Sequence, residues 1–186
     1  RTTPGLGTAA THAHTDYAAA SHTHGAGDLT NRTRSLLLPP SVFETSTKSA
    51  SGASPDICQR ITCGDPTETS FTTTFVVPQD YASGGQFTVL FAGDGGSTNT
   101  VRWAVYAKDI GSGLISAAYT HSDGATATPG ANDAIVATAA MTGLAAALGP
   151  GTLARITVHR VNGHADDTNG GSMYFVGLRF DYTADM

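Results

Sequence analysis

The sequence predicts an all-β protein, a jelly-roll-like β-sandwich carried on an extended N-terminal arm, with copies joined into a trimer. Three observations lead there. From residue 56 onward, runs of apolar residues alternate with polar ones at a period of two, the pattern of half-buried strands. Gly, Asn and Asp clusters separate these runs, and little of the chain has helical periodicity. The first 30 residues hold almost no large apolar side chains beyond Leu6, Tyr17 and Leu29, too few to offset the entropy of ordering them. To hold a shape, that arm must pair with other chains.

The arm carries two His-x-His pairs, His12-Ala13-His14 and His22-Thr23-His24. In extended backbone, side chains at i and i+2 point the same way, so each pair aims two imidazoles at one side. Three chains wound about a common axis would then supply six nitrogens at each level, enough for an octahedral metal. Octahedral nitrogen ligation favours iron or nickel over tetrahedral zinc, and iron is the expected ion, in a structural role. The alternative is a polar leader whose neutral imidazoles stack without metal.

Ser35–Pro40 is a compact apolar run stopped by two prolines, as expected of a docking strand or a linker. A Ser/Thr/Gly-rich stretch follows to Pro55. Residues 1–34 are thus expected to form a stalk or oligomerisation arm, 35–55 a linker and docking segment, and 56–186 the head. The chain opens on Arg1 and not on Met, as expected of a segment whose original beginning is missing.

Within the head, Phe71, Thr73, Phe75 and Val77 share one face up to Pro78, and Phe87–Phe91 runs into the turn signal Gly93-Asp94-Gly95-Gly96. That second run is apolar on both faces, which implies either subunit packing or a fully covered central strand. Val101, Trp103, Val105 and Ala107 form an inner face opposite Arg102, Tyr106 and Lys108. Ala154, Ile156 and Val158 alternate with Arg155, Thr157 and His159. Tyr174, Val176, Leu178, Phe180 and Tyr182 make the most regular stripe in the chain and predict a central strand. Only 133–148 offers a helix, with two or three turns over 139–148 ending at Gly149-Pro150-Gly151.

Charged residues make up 13% of the chain, well under the ~25% of ordinary soluble domains. A net charge of −5 without a basic patch argues against nucleic acid as a partner. No apolar run approaches the ~20 residues of a membrane span, so no membrane partner is expected. Cys58 and Cys63 enclose four residues, a loop that closes as a disulfide if the backbone turns, or else leaves two half-buried thiols. The oxygen-rich loop His164–Gly171 lacks the spacing of a calcium loop, and Asx-type turn bonding is its expected role. No nucleophile elbow, zinc-protease motif or contrasting carboxylate pair emerges, so no enzyme is expected.

Asp16-Tyr17, followed by Ser21-His22-Thr23-His24 and Asp28-Leu29-Thr30, resembles the Y-A-A-x-S-H-T-H-x-x-x-D-[IL]-T stretch of tail fibre and other fibre proteins of tailed bacteriophages. More diffusely, Trp103 in its strand, the Ala154–Arg160 strand, the Asp166-Asp167-Thr168 loop and the closing Gly177–Tyr182 run are similar to β-sandwich modules of phage virion proteins. The resemblance implies iron on the axis of a homotrimer. It also implies a location in the virion, contacts to other virion proteins through the arm, and a fibre or fibre tip engaged in host-surface attachment. Host surface polysaccharide is then the expected ligand, with Trp103, Tyr106, Tyr119 and Tyr81 as aromatic candidates. A capsid decoration or filament subunit is the alternative, and a depolymerase a remoter one.

Overall fold

The computed structural model describes residues 32–45, 60–64, 69–93, 98–111, 119, 121–131 and 134–185. Ten strands run through them: β1 (Arg32–Leu38), β2 (Glu44–Thr45), β3 (Ile61–Cys63), β4 (Thr69–Val76), β5 (Tyr81–Gly93), β6 (Val101–Asp109), β7 (His121–Ala127), β8 (Val136–Ala137), β9 (Leu153–Arg160) and β10 (Met173–Ala184). One sheet has the order β1-β10-β5-β8, with β3 also on β10; the other has the order β2-β4-β9-β6-β7. All pairs are antiparallel.

The pairings β3–β10, β4–β9, β5–β8 and β6–β7 nest inside one another, like one long hairpin of eight strands. Rolling that hairpin up adds β10–β5 in one sheet and β9–β6 in the other. This is the jelly roll, and the expected all-β sandwich holds.

Alternation explains why the two sheets face each other. Phe71 and Phe75 of β4, Trp103 and Val105 of β6, and Ile156 and Val158 of β9 meet Phe87, Val89 and Phe91 of β5 and Phe175, Leu178 and Phe180 of β10 in a single core. Rings bridge the layers: Phe71 lies 4.4 Å from Phe175, and Phe91 lies 5.5 Å from Trp103, centroid to centroid. Each fully buried Phe contributes on the order of 1.5–3 kcal/mol by leaving water.

The apolar run in β5 is that of a covered central strand. It lies between β10 and β8, and even the outward Thr88 is 2% exposed. β10 is central too, but its stripe is not continuous. Phe175 pairs with Phe91 and Gly177 with Leu90, so Val176 is an extra residue in a β-bulge. The phase flips there: Met173 and Phe175 are buried before it, and Leu178, Phe180 and Tyr182 after it, leaving Tyr174 and Val176 on the outer face. Gly177 permits the bulge because β1 passes close by. A Cβ at this position would lie 3.0 Å from Leu37 Cδ1 and 3.3 Å from the Leu38 carbonyl oxygen.

The helix expected over 139–148 is absent. Leu90 and Phe91 pair with Ala137 and Val136, and Phe87 exchanges both backbone hydrogen bonds with Met141, at 3.0 and 2.8 Å. The edge of β5 would otherwise leave buried N–H and carbonyl groups unpaired, a larger penalty than the weak helical preference of a ten-residue Ala-rich run. One 3-10 turn, Ala145–Ala147, remains.

β1 joins Arg32–Arg34, from the expected arm, to Ser35–Leu38, from the expected linker and docking segment, and the compact unit spans Asn31–Asp185. No helix among the described residues is long and apolar enough to cross a membrane.

Candidate functional site

The outer face of the sheet β2-β4-β9-β6-β7 is where side chains not spent on the core converge. Register places Glu44, Thr72, Thr157, Tyr106 and Ser122 in one row across all five strands. The next row holds Thr74, Arg155 and Lys108, and the row on the other side Ser70, His159, Ala104 and Gly124. In β4, β6 and β9 strand alternation puts these residues there, since their inward neighbours fill the core.

Two open depressions indent this face. One, of about 480 Å³, is lined by Val42, Glu44, Thr72, Thr74, Ile110 and Arg155. The other, of about 330 Å³, is lined by Arg102, Ala104, Tyr106, Ser122, Gly124 and His164, among others. The row Thr72–Thr157–Tyr106 joins them. Thr72 and Thr157 hydroxyls are hydrogen bonded at 2.8 Å, and the Tyr119 hydroxyl bonds Thr157 in turn. The Tyr106 ring lies 5.7 Å from that of Tyr119 and 6.4 Å from His159, while the Arg155 guanidinium carbon stands 5.8 Å from the Tyr119 ring centre. The result is a partly exposed aromatic platform bordered by hydroxyls and a guanidinium.

The four aromatic candidates therefore divide. Trp103 (0% exposed) and Tyr81 (8%) are core residues, whereas Tyr106 and Tyr119 stand on the platform. The alternation in β6 already set Tyr106 apart from Trp103. Arg155 and Thr157 became site residues only through strand pairing, which one strand's pattern does not reveal.

Carboxylates near the platform are largely committed. Asp123 accepts hydrogen bonds from the Gly124 and Gly143 N–H groups at 2.7 and 2.9 Å. Asp166 lies 3.5 Å from Arg102 Nη1 and 3.4 Å from His164 Nδ1. In the adjoining loop, Asp167 and Asn169 accept from the N–H groups of Asn169 and Gly171 at 3.3 and 2.8 Å, the expected Asx-type bonding. The His164 Nδ1 accepts the Asp166 N–H at 3.1 Å, and the His159 ring lies 6.4 Å from that of Tyr106.

His12, His14, His22 and His24 lie outside the described residues, as does Cys58, and with it the Cys58–Cys63 pairing. Cys63 is a buried thiol whose Sγ donates to the Ile61 carbonyl at 3.9 Å. Burial pushes its pKa up to about 12, against weaker opposing effects from the Arg160 charge and a backbone hydrogen bond, so it stays protonated and inert at neutral pH.

No family model matches the chain. Among curated proteins none matches either. Among solved structures, the chain is similar to TmCBM61 in complex with β-1,4-galactotriose, at 10% identity and a TM-score of 0.36, over 81% of this chain and 88% of that one. It is also similar to a family 11 carbohydrate-binding module from Clostridium thermocellum in complex with a β-1,3-1,4-mixed-linked tetrasaccharide. That likeness has 10% identity and a TM-score of 0.38, over 90% of this chain and 96% of the other.

Proposed function

We propose that this chain is a non-enzymatic attachment protein of a tailed-phage virion, whose jelly-roll head binds host surface polysaccharide through the outer face of the β2-β4-β9-β6-β7 sheet. The observation that carries the binding reading is the platform of Tyr106 and Tyr119, set between two depressions and edged by Thr72, Thr157 and Arg155. Sugar rings present apolar C–H faces and a rim of hydroxyls. Aromatic faces take the former, and hydroxyl, amide and guanidinium groups the latter.

Affinity electrophoresis of the head against a panel of soluble bacterial polysaccharides tests this reading. Tyr106→Ala is expected to weaken binding to a retained polymer at least tenfold, about 1.4 kcal/mol. Because Tyr106 lies outside the core, the variant should melt within a few degrees of the parent. Retention unchanged by both Tyr106→Ala and Tyr119→Ala would remove the platform from the interface.

The leader supports the virion part of the reading through its resemblance to phage fibre sequences. Its His12, His14, His22 and His24 are proposed to hold iron on the axis of a homotrimer. Metal bound only by the assembled trimer would stabilise it by linkage. Chelation, or the double substitution His22→Ala and His24→Ala, is therefore expected to lower trimer melting. A monomer by sedimentation, or unaltered melting with metal content retained, counts against the axial site.

A further inference from the structure

Exposed apolar side chains gather at one place on the outer face. Among the described residues five large ones are exposed, and three of them, Val42, Val76 and Leu153, stand at or beside the 480 Å³ depression. Register puts Val76 of β4 directly opposite Leu153 of β9, and the Ile110 N–H, just past β6, donates to the Leu153 carbonyl at 2.9 Å. Val76, Leu153 and Ile110 therefore form the row next to Thr74, Arg155 and Lys108, and Ile110 also lines the depression, as Val42 does. Val76 is 59% and Leu153 39% exposed, while Phe75, Val77 and Ala154 beside them are buried in the core. Single aliphatic side chains on a surface need no explanation, but a contiguous row beside a cleft marks a contact.

This row limits what can lie against that end of the face. It is four residues along the strands from the Thr72–Thr157–Tyr106 row, about 13 Å, or about two to three sugar units. A sugar hydroxyl pressed against these aliphatic groups would lose its hydrogen bonds to water and gain none. A methyl group loses no hydrogen bond there and is itself removed from water.

We propose that the polysaccharide taken by this face carries methyl groups, as the C6 methyl of a 6-deoxyhexose or as O-acetyl, and that the Val76–Leu153–Ile110 row receives one of them. The inference rests on the carbohydrate-binding reading and specifies its ligand class. The aromatic platform takes sugar rings, and the row selects among chains by their apolar substituent.

Affinity electrophoresis of the full chain on two pairs of polymers provides the test. The pairs are an O-acetylated glucomannan against the same polymer after alkaline deacetylation, and a D-rhamnan against a linkage-matched mannan. The methyl-bearing member of at least one pair is expected to bind about fourfold more tightly, the factor for one methyl leaving water. Which pair shows the preference distinguishes an acetyl from a C6 methyl. The double substitution Val76→Thr and Leu153→Thr should abolish that preference, leave binding to the methyl-free polymers unchanged, and melt like the parent, since both positions are exposed strand sites and Thr suits a strand. Equal retention within both pairs would overturn the inference while leaving the binding reading intact. So would a preference that survives the double substitution. Loss of self-association in the double variant, seen by sedimentation, would also overturn it and make the row an interface between copies. Retention by none of the four polymers would count against both readings.

Discussion

Asp167→Ala is expected to destabilise the head by about 3–5 kcal/mol, the penalty for stranding one partner of a buried ion pair. Arg160 ends β9 on its inner face with a side chain 0% exposed, and Asp167 is 1% exposed. All five guanidinium N–H groups are used. Nε and Nη2 donate to the two Asp167 oxygens, each at 3.2 Å; Nη1 donates to the carbonyls of Cys63 and Gly171 at 3.1 and 2.8 Å; and Nη2 also reaches the Asn169 carbonyl. One cation therefore joins β3 of one sheet, β9 of the other and the loop before β10. The Asp167 carboxylate also accepts the Arg102 N–H at 3.2 Å. Removing it leaves a buried charge and loosens that loop. In a unit of this size the melting temperature should fall by about 10 °C or more. Arg34, whose pair with Asp80 lies 2.6 Å apart but is 54% exposed on the arginine side, supplies the contrast. Arg34→Met should cost no more than about 1 kcal/mol. A loss of that smaller size for Asp167→Ala would show the Arg160 pair to be solvated.

The Arg160 network also marks how far the sequence could be read. The alternation Ala154, Ile156, Val158 places residue 160 inside, and an inward arginine demands an acid, yet nothing local says that Asp167 and not Asp166 will answer. Strand identity was legible where alternation ran unbroken, as in β4 and β9, and in β6 despite the apolar Ala104 on its wetter face. It failed where the backbone breaks its own period, at Val176 and Gly177, because a bulge leaves no mark in hydrophobicity. It failed again over 139–148, where the deciding partner, the edge of β5, lies some fifty residues away. At the site, β6 disclosed Tyr106 as a wet-face aromatic, but the Thr72–Thr157–Tyr119 hydroxyl chain joins segments 38 and 85 residues apart. Only the fold brings those together.

The bulge makes the second large effect a sharp one. Phe180→Ala is expected to cost about 3–5 kcal/mol, as loss of a fully buried aromatic does when the surrounding core relaxes only in part. Its ring lies 4.9 Å from Phe87, 5.3 Å from Tyr182, 5.7 Å from Phe75 and 6.0 Å from Tyr81, so it packs against both sheets at once. Tyr174, six residues earlier on the same strand, would share that face if the alternation were continuous. Instead its ring lies on the outside beneath the Arg60 guanidinium, 3.9 Å from the charge centre. Tyr174→Ala should therefore cost about 1 kcal/mol, the scale of one partly exposed cation–π contact. Urea unfolding of the two variants measures the difference directly. Equal losses would mean that β10 runs without its extra residue, and Gly177 would then have no reason to be glycine. A several-fold difference places the phase change between the two rings, because nothing else on the strand separates their faces.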